Sequence, residues 1–127
     1  GEQVALLAQE KVGCQYSQDL RYEEGYYDCS SLVQRCYAQF GVNLPSVAST
    51  QGQYIVDNGL QVSENELRPG DLIFHARDDN ADEFMSIGHV AIYVGNGMQV
   101  DARGTAYGVV YRPLVPSNIG LYGRPCR

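Results

Sequence analysis

The sequence has few basic residues, no long apolar run and no closely paired cysteines, and each absence argues against one class of protein. Nine Lys and Arg against fifteen Asp and Glu give a net charge of -6. This balance argues against a nucleic-acid-binding protein, because affinity for phosphates depends on clustered cations. No segment reaches the apolar length of a membrane span. The absence of a CxxC pair argues against a zinc site or a thioredoxin-type site.

The composition is that of one folded domain. The chain has 127 residues, of which 44% are hydrophobic and 19% are charged, so it has enough apolar residues to form a core. It contains no repeats, low-complexity runs or linkers, and we predict a single domain over residues 1–127. No signal peptide is present and the chain begins at Gly1, so we expect a mature form or an excised domain.

The spacing of apolar residues changes along the chain from helical to strand-like. Recurrence every three or four residues predicts three helices, at about residues 4–13, 29–41 and 46–58, with Ser46 as the cap of the third. Shorter apolar runs predict strands, at residues 72–74, 89–94, 98–102, 109–111 and 121–123. Asn96-Gly97 is typical of a tight hairpin turn. The polar residues 15–28 and 77–86 are predicted to be loops. Helices followed by an antiparallel sheet make an α+β domain.

One short stretch carries the strongest chemical signal. Asp28 is a plausible N-cap for the second helix, which places Cys29 in its first turn. Unpaired backbone N–H groups and the positive end of the helix dipole favour a thiolate there. A thiolate is the form of cysteine that attacks a carbonyl carbon. The alternative interpretation is that Cys29 is a small buried residue, as most helix-terminal cysteines are.

A cysteine nucleophile needs a base, and the chain contains only two histidines. His89 opens a predicted strand, and the turn at residues 95–97 brings it opposite residues near Asp101. Asp101 is therefore the carboxylate best placed to orient the ring of His89, although an exposed acid at a strand end is an equal alternative. His75 is the competing base. It ends the strand at residues 72–74, has no near carboxylate in the sequence before Asp78, and is otherwise a polar end to that strand.

Four motifs in order resemble the NlpC/P60 family of cell-wall cysteine peptidases. They are DCSSLV at residues 28–33, GVNLP at residues 41–45 with Gln51, LRPGDLIF at residues 67–74, and GHVAIYVGNG at residues 88–97. Each motif alone is weak, but four in order over nearly the whole chain are specific. The resemblance implies a papain-like core with rearranged elements, in which N-terminal helices pack on a central antiparallel sheet.

The resemblance also implies roles for individual residues. Cys29 would be the nucleophile and His89 the general base, with Asp101 at the third position, where the family often has a histidine. Tyr16 falls where the family keeps a tyrosine whose hydroxyl helps to bind the oxyanion. Asp28 and Ser30 flank the nucleophile where family members contact the substrate peptide. Both are alternatively helix-capping residues, and Tyr16 is alternatively one more member of a tyrosine-rich loop.

Three other positions depart from the family pattern. Ser31 stands where glycine is common, Ser46 where arginine is common, and Ala48 where serine is common. These positions border the expected substrate groove, so the family's peptide preference does not transfer directly to this chain.

The resemblance implies a cysteine endopeptidase that acts on the stem peptides of peptidoglycan. The expected scissile bond joins the γ-carboxyl of D-glutamate, or D-isoglutamine, to the diamino acid. We expect no metal or other cofactor, action outside the cell at the wall, a monomer, and separate wall-binding modules in the full-length protein. The alternatives are an amidase that cuts the sugar–peptide link, an acyltransferase, and a non-catalytic wall-binding module. Retention of Cys29, His89 and a polar third residue argues against the last.

If Cys29 stays free, at most one disulfide forms among the other three cysteines. Cys36 falls on the apolar face of the second helix and is expected in the core. The remaining pair, Cys14 with Cys126, is the candidate bridge, and the cysteines do not settle the redox compartment.

Overall fold

Three helices pack against the central strand of a six-stranded antiparallel sheet in the computed structural model, which describes residues 1–77 and 84–125. The helices are α1 (Glu2–Glu10), α2 (Cys29–Ala38) and α3 (Ala48–Asp57). The strands are β1 (Gln15–Tyr16), β2 (Tyr26–Tyr27), β3 (Gln61–Val62), β4 (Leu72–Ala76), β5 (Ile87–Gly95), β6 (Met98–Gly104), β7 (Gly108–Pro113) and β8 (Ile119–Gly123). The predicted α+β class, with helices before the sheet, is confirmed.

The order of strands in the sheet is β3-β8-β4-β5-β6-β7, and every neighbouring pair is antiparallel. Strand β5 lies inside the sheet, between β4 and β6. Its residues Val90, Ala91 and Ile92 are all fully buried, which is why this segment is continuously apolar rather than alternating. The predicted hairpin is present, since β5 and β6 pair antiparallel on either side of Asn96 and Gly97. Both of these residues have positive φ, as the tightest hairpin turns require.

The helices reach the sheet through apolar faces and small residues. In α2 the buried Leu32, Val33 and Cys36 follow the helical spacing seen in the sequence. In α3, Gly52 allows the helix to approach Ile87 on β5, since a Cβ at that position would lie 2.6 Å from the Cδ1 atom of Ile87. Helix α2 contacts both β5 and β6, which places it beside the middle of the sheet.

Several predicted boundaries were wrong. Residues 15–28 are not only loop, because β1 and β2 form a short parallel pair within them. Ser46 does not cap the third helix, which begins at Ala48 after an extended Val47 that makes no capping side-chain bond. Helix α2 ends at Ala38, before Gly41, and β3 was not predicted. The predicted loop at residues 77–86 falls largely on residues 78–83, which lie outside the described residues.

Candidate active site

The cysteine nucleophile predicted from the sequence is the first residue of α2, and the cap before it is complete. The Asp28 carboxylate accepts a hydrogen bond from the backbone N–H of Ser31 at 2.8 Å, and the backbone N–H of Asp28 donates to the Ser31 hydroxyl at 2.9 Å. This reciprocal pair fixes the helix start and therefore the backbone of Cys29. The half-buried thiol lies at the positive end of the helix dipole, where negative charge is favoured.

His89 on β5 lies between Cys29 and a carboxylate. Its Nε2 atom is 2.9 Å from Oδ2 of Asp101, and the ring lines the same cleft as the Cys29 thiol. Since Nε2 is occupied by Asp101, Nδ1 is the nitrogen left for the thiol. Burial lowers the pKa of His89, but the hydrogen bond with Asp101 and the neighbouring Cys29 outweigh burial and raise the pKa to about 9. The ring is thus poised to hold a proton beside Cys29.

Asp101 on β6 is fully buried, so the alternative of an exposed strand-end acid was wrong. Besides His89, it accepts two hydrogen bonds from Arg112, Nε to Oδ1 at 3.0 Å and a terminal nitrogen to Oδ2 at 2.6 Å. Gln99 donates a further bond to Oδ1 at 3.1 Å. Burial alone would raise the pKa of Asp101, but the donors from His89, Arg112 and Gln99 hold it well below its ordinary value. The carboxylate is therefore ionised.

Arg112 and Gln99 were missed by sequence reasoning. Gln99 lies two residues before Asp101 on the same strand. Side chains two residues apart on a strand lie on the same face of the sheet, so the sequence could have placed Gln99 on the face of Asp101. Arg112 pairs with Gln99 across β6 and β7, a register that the sequence alone does not define.

Tyr16 lies on β1, half-buried, and lines the same cleft as Cys29 and His89. Its hydroxyl accepts a hydrogen bond from the side-chain amide of Gln18 at 3.3 Å. Burial raises the pKa of Tyr16, and the nearby Cys29 raises it further, so the hydroxyl keeps its proton at neutral pH. A protonated hydroxyl at the cleft wall is a donor of the kind that an oxyanion requires.

Asp28 and Ser30 line the cleft, and both also contact another side chain of the protein. Arg21, which sequence reasoning missed, forms an ion pair with the Asp28 carboxylate at 2.8 Å. The same guanidinium donates to the Ser30 hydroxyl at 2.8 Å and to the backbone carbonyl of Ser46. Arg21 thereby connects the segment before α2 to the segment before α3. The substrate-contact roles of Asp28 and Ser30 stay predictions.

His75 is not placed as a base. It pairs with His89 across β4 and β5, with the two ring centroids 5.8 Å apart. Its Nδ1 donates to the backbone carbonyl of Ser117 at 3.1 Å. Burial lowers the pKa of His75, so the ring is neutral at neutral pH. Its Nε2 atom is buried and has no hydrogen-bond partner among the described residues, and His75 is not part of the lining of the cleft that contains Cys29. The geometry therefore favours His89 as the base.

The reactive groups open onto a cleft of about 230 Å³. Its lining includes Tyr16, Asp28, Cys29, Ser30, Ala48, His89 and Arg103. A larger cavity of about 720 Å³, between the N-terminus and β3, contains neither Cys29 nor a histidine. Chemistry therefore favours the smaller cleft as the active site. Within the described residues, no group of three or more His, Cys, Asp or Glu side chains is arranged to hold a metal ion.

Cys36 is buried on α2, as predicted, and Cys14, Cys29 and Cys36 all carry free thiols. The other half of the predicted Cys14 bridge, Cys126, lies outside the described residues. No helix in the described part of the chain is long and apolar enough to cross a membrane.

Comparison with known proteins agrees with the fold and with the motifs. The profile of the NlpC/P60 family matches residues 13–119. The chain is 36% identical over 96 residues to a probable endopeptidase p60 of Listeria seeligeri, covering 76% of this chain and 16% of that protein. It is 42% identical over 71 residues to the peptidoglycan DL-endopeptidase CwlO of Bacillus licheniformis, covering 56% of this chain and 14% of that protein.

Solved structures with a similar fold include an NlpC protein and a peptidoglycan hydrolase. NlpC2 from Trichomonas vaginalis superposes with a TM-score of 0.82 at 28% identity, covering 97% of this chain and 45% of that one. The peptidoglycan hydrolase RipB from Mycobacterium tuberculosis superposes with a TM-score of 0.77 at 26% identity, covering 99% of this chain and 64% of that one. The matched family profile spans most of the chain, and the chain therefore belongs to the NlpC/P60 family.

Proposed function

We propose that this domain is a cysteine endopeptidase that cuts peptidoglycan stem peptides. One observation carries the proposal: Cys29 and His89 line the same cleft, and Nε2 of His89 lies 2.9 Å from the Asp101 carboxylate. A nucleophile, a base and a group that orients the base thus form one chain, the arrangement of cysteine acyl transfer.

The proposed scissile bond joins the γ-carboxyl of D-glutamate, or of D-isoglutamine, to the diamino acid. Two relatives carry names that support this choice, CwlO and a γ-D-glutamyl-L-lysine dipeptidyl-peptidase of Bacillus cereus, the latter 32% identical over 88 residues. The match covers only 24% of that second protein, so the wall-binding modules and the cell-wall location expected for the full-length protein are part of the proposal.

The reaction begins when the Cys29 thiolate attacks the carbonyl carbon of the peptide and a carbon–sulfur bond forms. The Tyr16 hydroxyl and the backbone N–H of Cys29 donate hydrogen bonds to the resulting oxyanion. His89, protonated, gives its proton to the leaving amine as the carbon–nitrogen bond breaks. His89 then takes a proton from water, which attacks the thioester and releases the acid product and Cys29.

Asp101 orients the base and does not take up the proton. It is an acceptor with a pKa held below its ordinary value, so it fixes a proton on Nε2 and directs Nδ1 toward the thiol. The positive charge of the imidazolium is stabilised by the same carboxylate, which favours the thiolate–imidazolium pair over the neutral pair.

The charge of the cleft suits an anionic peptide although the chain as a whole carries -6. Arg103 is exposed at the cleft, and its guanidinium carbon lies 3.9 Å from the centroid of the Tyr107 ring, which orients the cation. Stem peptides carry carboxylates that such a cation attracts. Asp28 and Ser30, at the cleft wall beside Cys29, are the proposed contacts for the peptide backbone.

The test is mass spectrometry of defined muropeptides after incubation with the domain, with Cys29→Ala and with Cys14→Ala. Cys14 is a second half-buried free thiol outside the cleft lining, so its variant controls for the loss of a thiol as such. Fragments ending in γ-D-glutamate are expected from the unmodified domain and from Cys14→Ala, and none from Cys29→Ala.

Other products would identify a different reaction. Release of the whole stem peptide from the sugar would indicate an amidase, and transfer to an added amine would indicate an acyltransferase. Binding of muropeptides without any cleavage would indicate a wall-binding module. Cleavage by Cys29→Ala would refute the role of the cysteine.

A further inference from the structure

The Asp101 carboxylate is saturated by donors. Oδ1 accepts from Gln99 and from Nε of Arg112, and Oδ2 accepts from Arg112 and lies 2.9 Å from His89. A carboxylate offers about four lone-pair positions, so every acceptor position is used. Arg112 supplies two of the four bonds in a bidentate fork, the geometry that defines the plane of a carboxylate most strongly.

The supporting contacts are themselves held in place. The side-chain carbonyl of Gln99 accepts a hydrogen bond from the backbone N–H of Val115 at 3.1 Å, which directs its amide nitrogen toward Asp101. The Arg112 side chain is 24% exposed, whereas the Asp101 side chain is 0% exposed. The guanidinium therefore bridges solvent and a carboxylate that has no contact with water. A buried carboxylate needs such a counter-charge, because desolvation would otherwise favour its protonation.

We propose that Arg112 is a positioning residue for the Cys29–His89 pair and acts on it through Asp101. Its fork fixes the carboxylate plane so that Oδ2 faces Nε2 of His89. Its charge balances the carboxylate, so that the pair does not experience an uncompensated negative charge. The inference rests on the proposed roles of Cys29 and His89.

The charge of Arg112 predicts the direction in which the titration of the Cys29–His89 pair moves when this cation is removed. The Cys29–His89 pair loses one proton on forming the thiolate and a second when the imidazolium deprotonates, and these steps belong to the pair as a whole. Each step makes the site more negative. Removing the Arg112 cation therefore moves both steps to higher pH. A unit charge acting over about 10 Å at an effective dielectric constant of about 20 moves a titration by roughly one pH unit.

Several groups surround the pair and contribute to its titration. The groups on neighbouring strands and helices are Cys29 on α2, His75 on β4, Tyr16 on β1 and Asp101 on β6, with Arg112 and Gln99 behind Asp101. The cleft adds the charged residues Arg77, Arg103 and Asp28, the last of which is paired with Arg21. Only Arg112 is altered in the variants below, so the contributions of the others are common to all proteins compared.

The test is the pH dependence of the rate at which iodoacetamide alkylates Cys29, followed by mass spectrometry of the peptide that contains it. In Arg112→Met the inflection is expected to move to higher pH by about one unit, so that alkylation at a pH below the inflection slows by about tenfold. Arg112→Lys retains the charge and is expected to restore the inflection to that of the unmodified protein. If Arg112→Met does not fold, Arg112→Gln removes the same charge and predicts the same displacement.

Arg124 is a matched control. It forks Asp71 with two bonds of 2.9 Å, and Asp71 is also buried, but this pair lies at the larger cavity away from Cys29. Arg124→Met is expected to lower the melting temperature without moving the alkylation profile. An unmoved profile in folded Arg112→Met, matching that of Arg124→Met, would overturn the proposal and leave Arg112 a structural residue. Because alkylation needs no peptidoglycan, this test fails or succeeds independently of the proposed substrate.

Discussion

The domain is expected to become less stable as pH rises from 6.5 to about 9, because protonated His89 stabilises the folded protein and this contribution is lost over that range. The contacts with Asp101 and Cys29 raise the pKa of His89 from 6.5 to about 9 against the opposing effect of burial. Below 6.5 the ring is protonated in both the folded and the unfolded chain, and its contribution to stability is fully present. Above that pH the unfolded chain releases the proton while the folded protein keeps it, so the contribution declines and is lost above about 9.

The size of this effect follows from the displacement of the pKa. At 1.36 kcal/mol per pH unit, a rise from 6.5 to about 9 corresponds to about 3 kcal/mol of folding free energy. The His89 side chain is 27% exposed, so solvent screens only part of the interaction. A loss of this size is a large fraction of the stability of an ordinary domain.

The assay is urea unfolding, followed by far-ultraviolet circular dichroism, at a series of pH values across this range for the unmodified domain and for His89→Gln. The glutamine can still hydrogen-bond to Asp101 but does not titrate, and every other titrating group is common to both proteins. The stability difference between the two proteins should narrow by about 3 kcal/mol as pH rises. Parallel curves would refute the argument that the folded protein holds a proton on His89. A repeat in Cys29→Ala separates the share contributed by the thiol.

Two further substitutions test the oxyanion donor and the core. Tyr16→Phe removes the hydroxyl at the cleft and is expected to slow acylation in single-turnover assays by on the order of 10²-fold; Tyr111→Phe, at an exposed tyrosine away from the cleft lining, should not. Equal rates for the two variants would exclude Tyr16 from the oxyanion site. Leu72→Ala, at a fully buried position of β4, is expected to cost about 2–5 kcal/mol of unfolding free energy in urea. Leu6→Ala, at a side chain that is 62% exposed, should change it by less than about 0.5 kcal/mol.

The parts of the fold that depend on local patterns were predicted from the sequence. The helical spacing of Leu32, Val33 and Cys36 corresponds to the buried face of α2. The continuous apolar run of β5 and the Asn96-Gly97 turn define the hairpin that brings His89 near Asp101. Both signals are local, because a buried face and a tight turn each depend on residues close together in the chain.

The parts that depend on long-range pairing were not predicted. Strands β1 and β2 contain two residues each and pair across a polar segment, so no apolar period marks them. Arg21 lies in that segment and contacts Asp28, Ser30 and Ser46 from a position that only the folded loop defines. A polar stretch without a period carries no information about which of its side chains turns inward.

Arg112 is an intermediate case, because the burial of Asp101 and the register between β6 and β7 are both needed to identify it as the partner of Asp101. A carboxylate that is buried in a sheet requires a cation on the same face, and Arg103 and Arg112 are the arginines nearest to Asp101 in the sequence. Arg103 follows Asp101 by two residues on β6, but its side chain is exposed and stacks on Tyr107. Arg112 pairs with Gln99, which places it diagonally across from Asp101 on the adjacent strand. A slip of one residue between β6 and β7 would turn Arg112 to the opposite face and leave the carboxylate unbalanced. The register of this strand pair therefore contributes directly to the electrostatics of the active site.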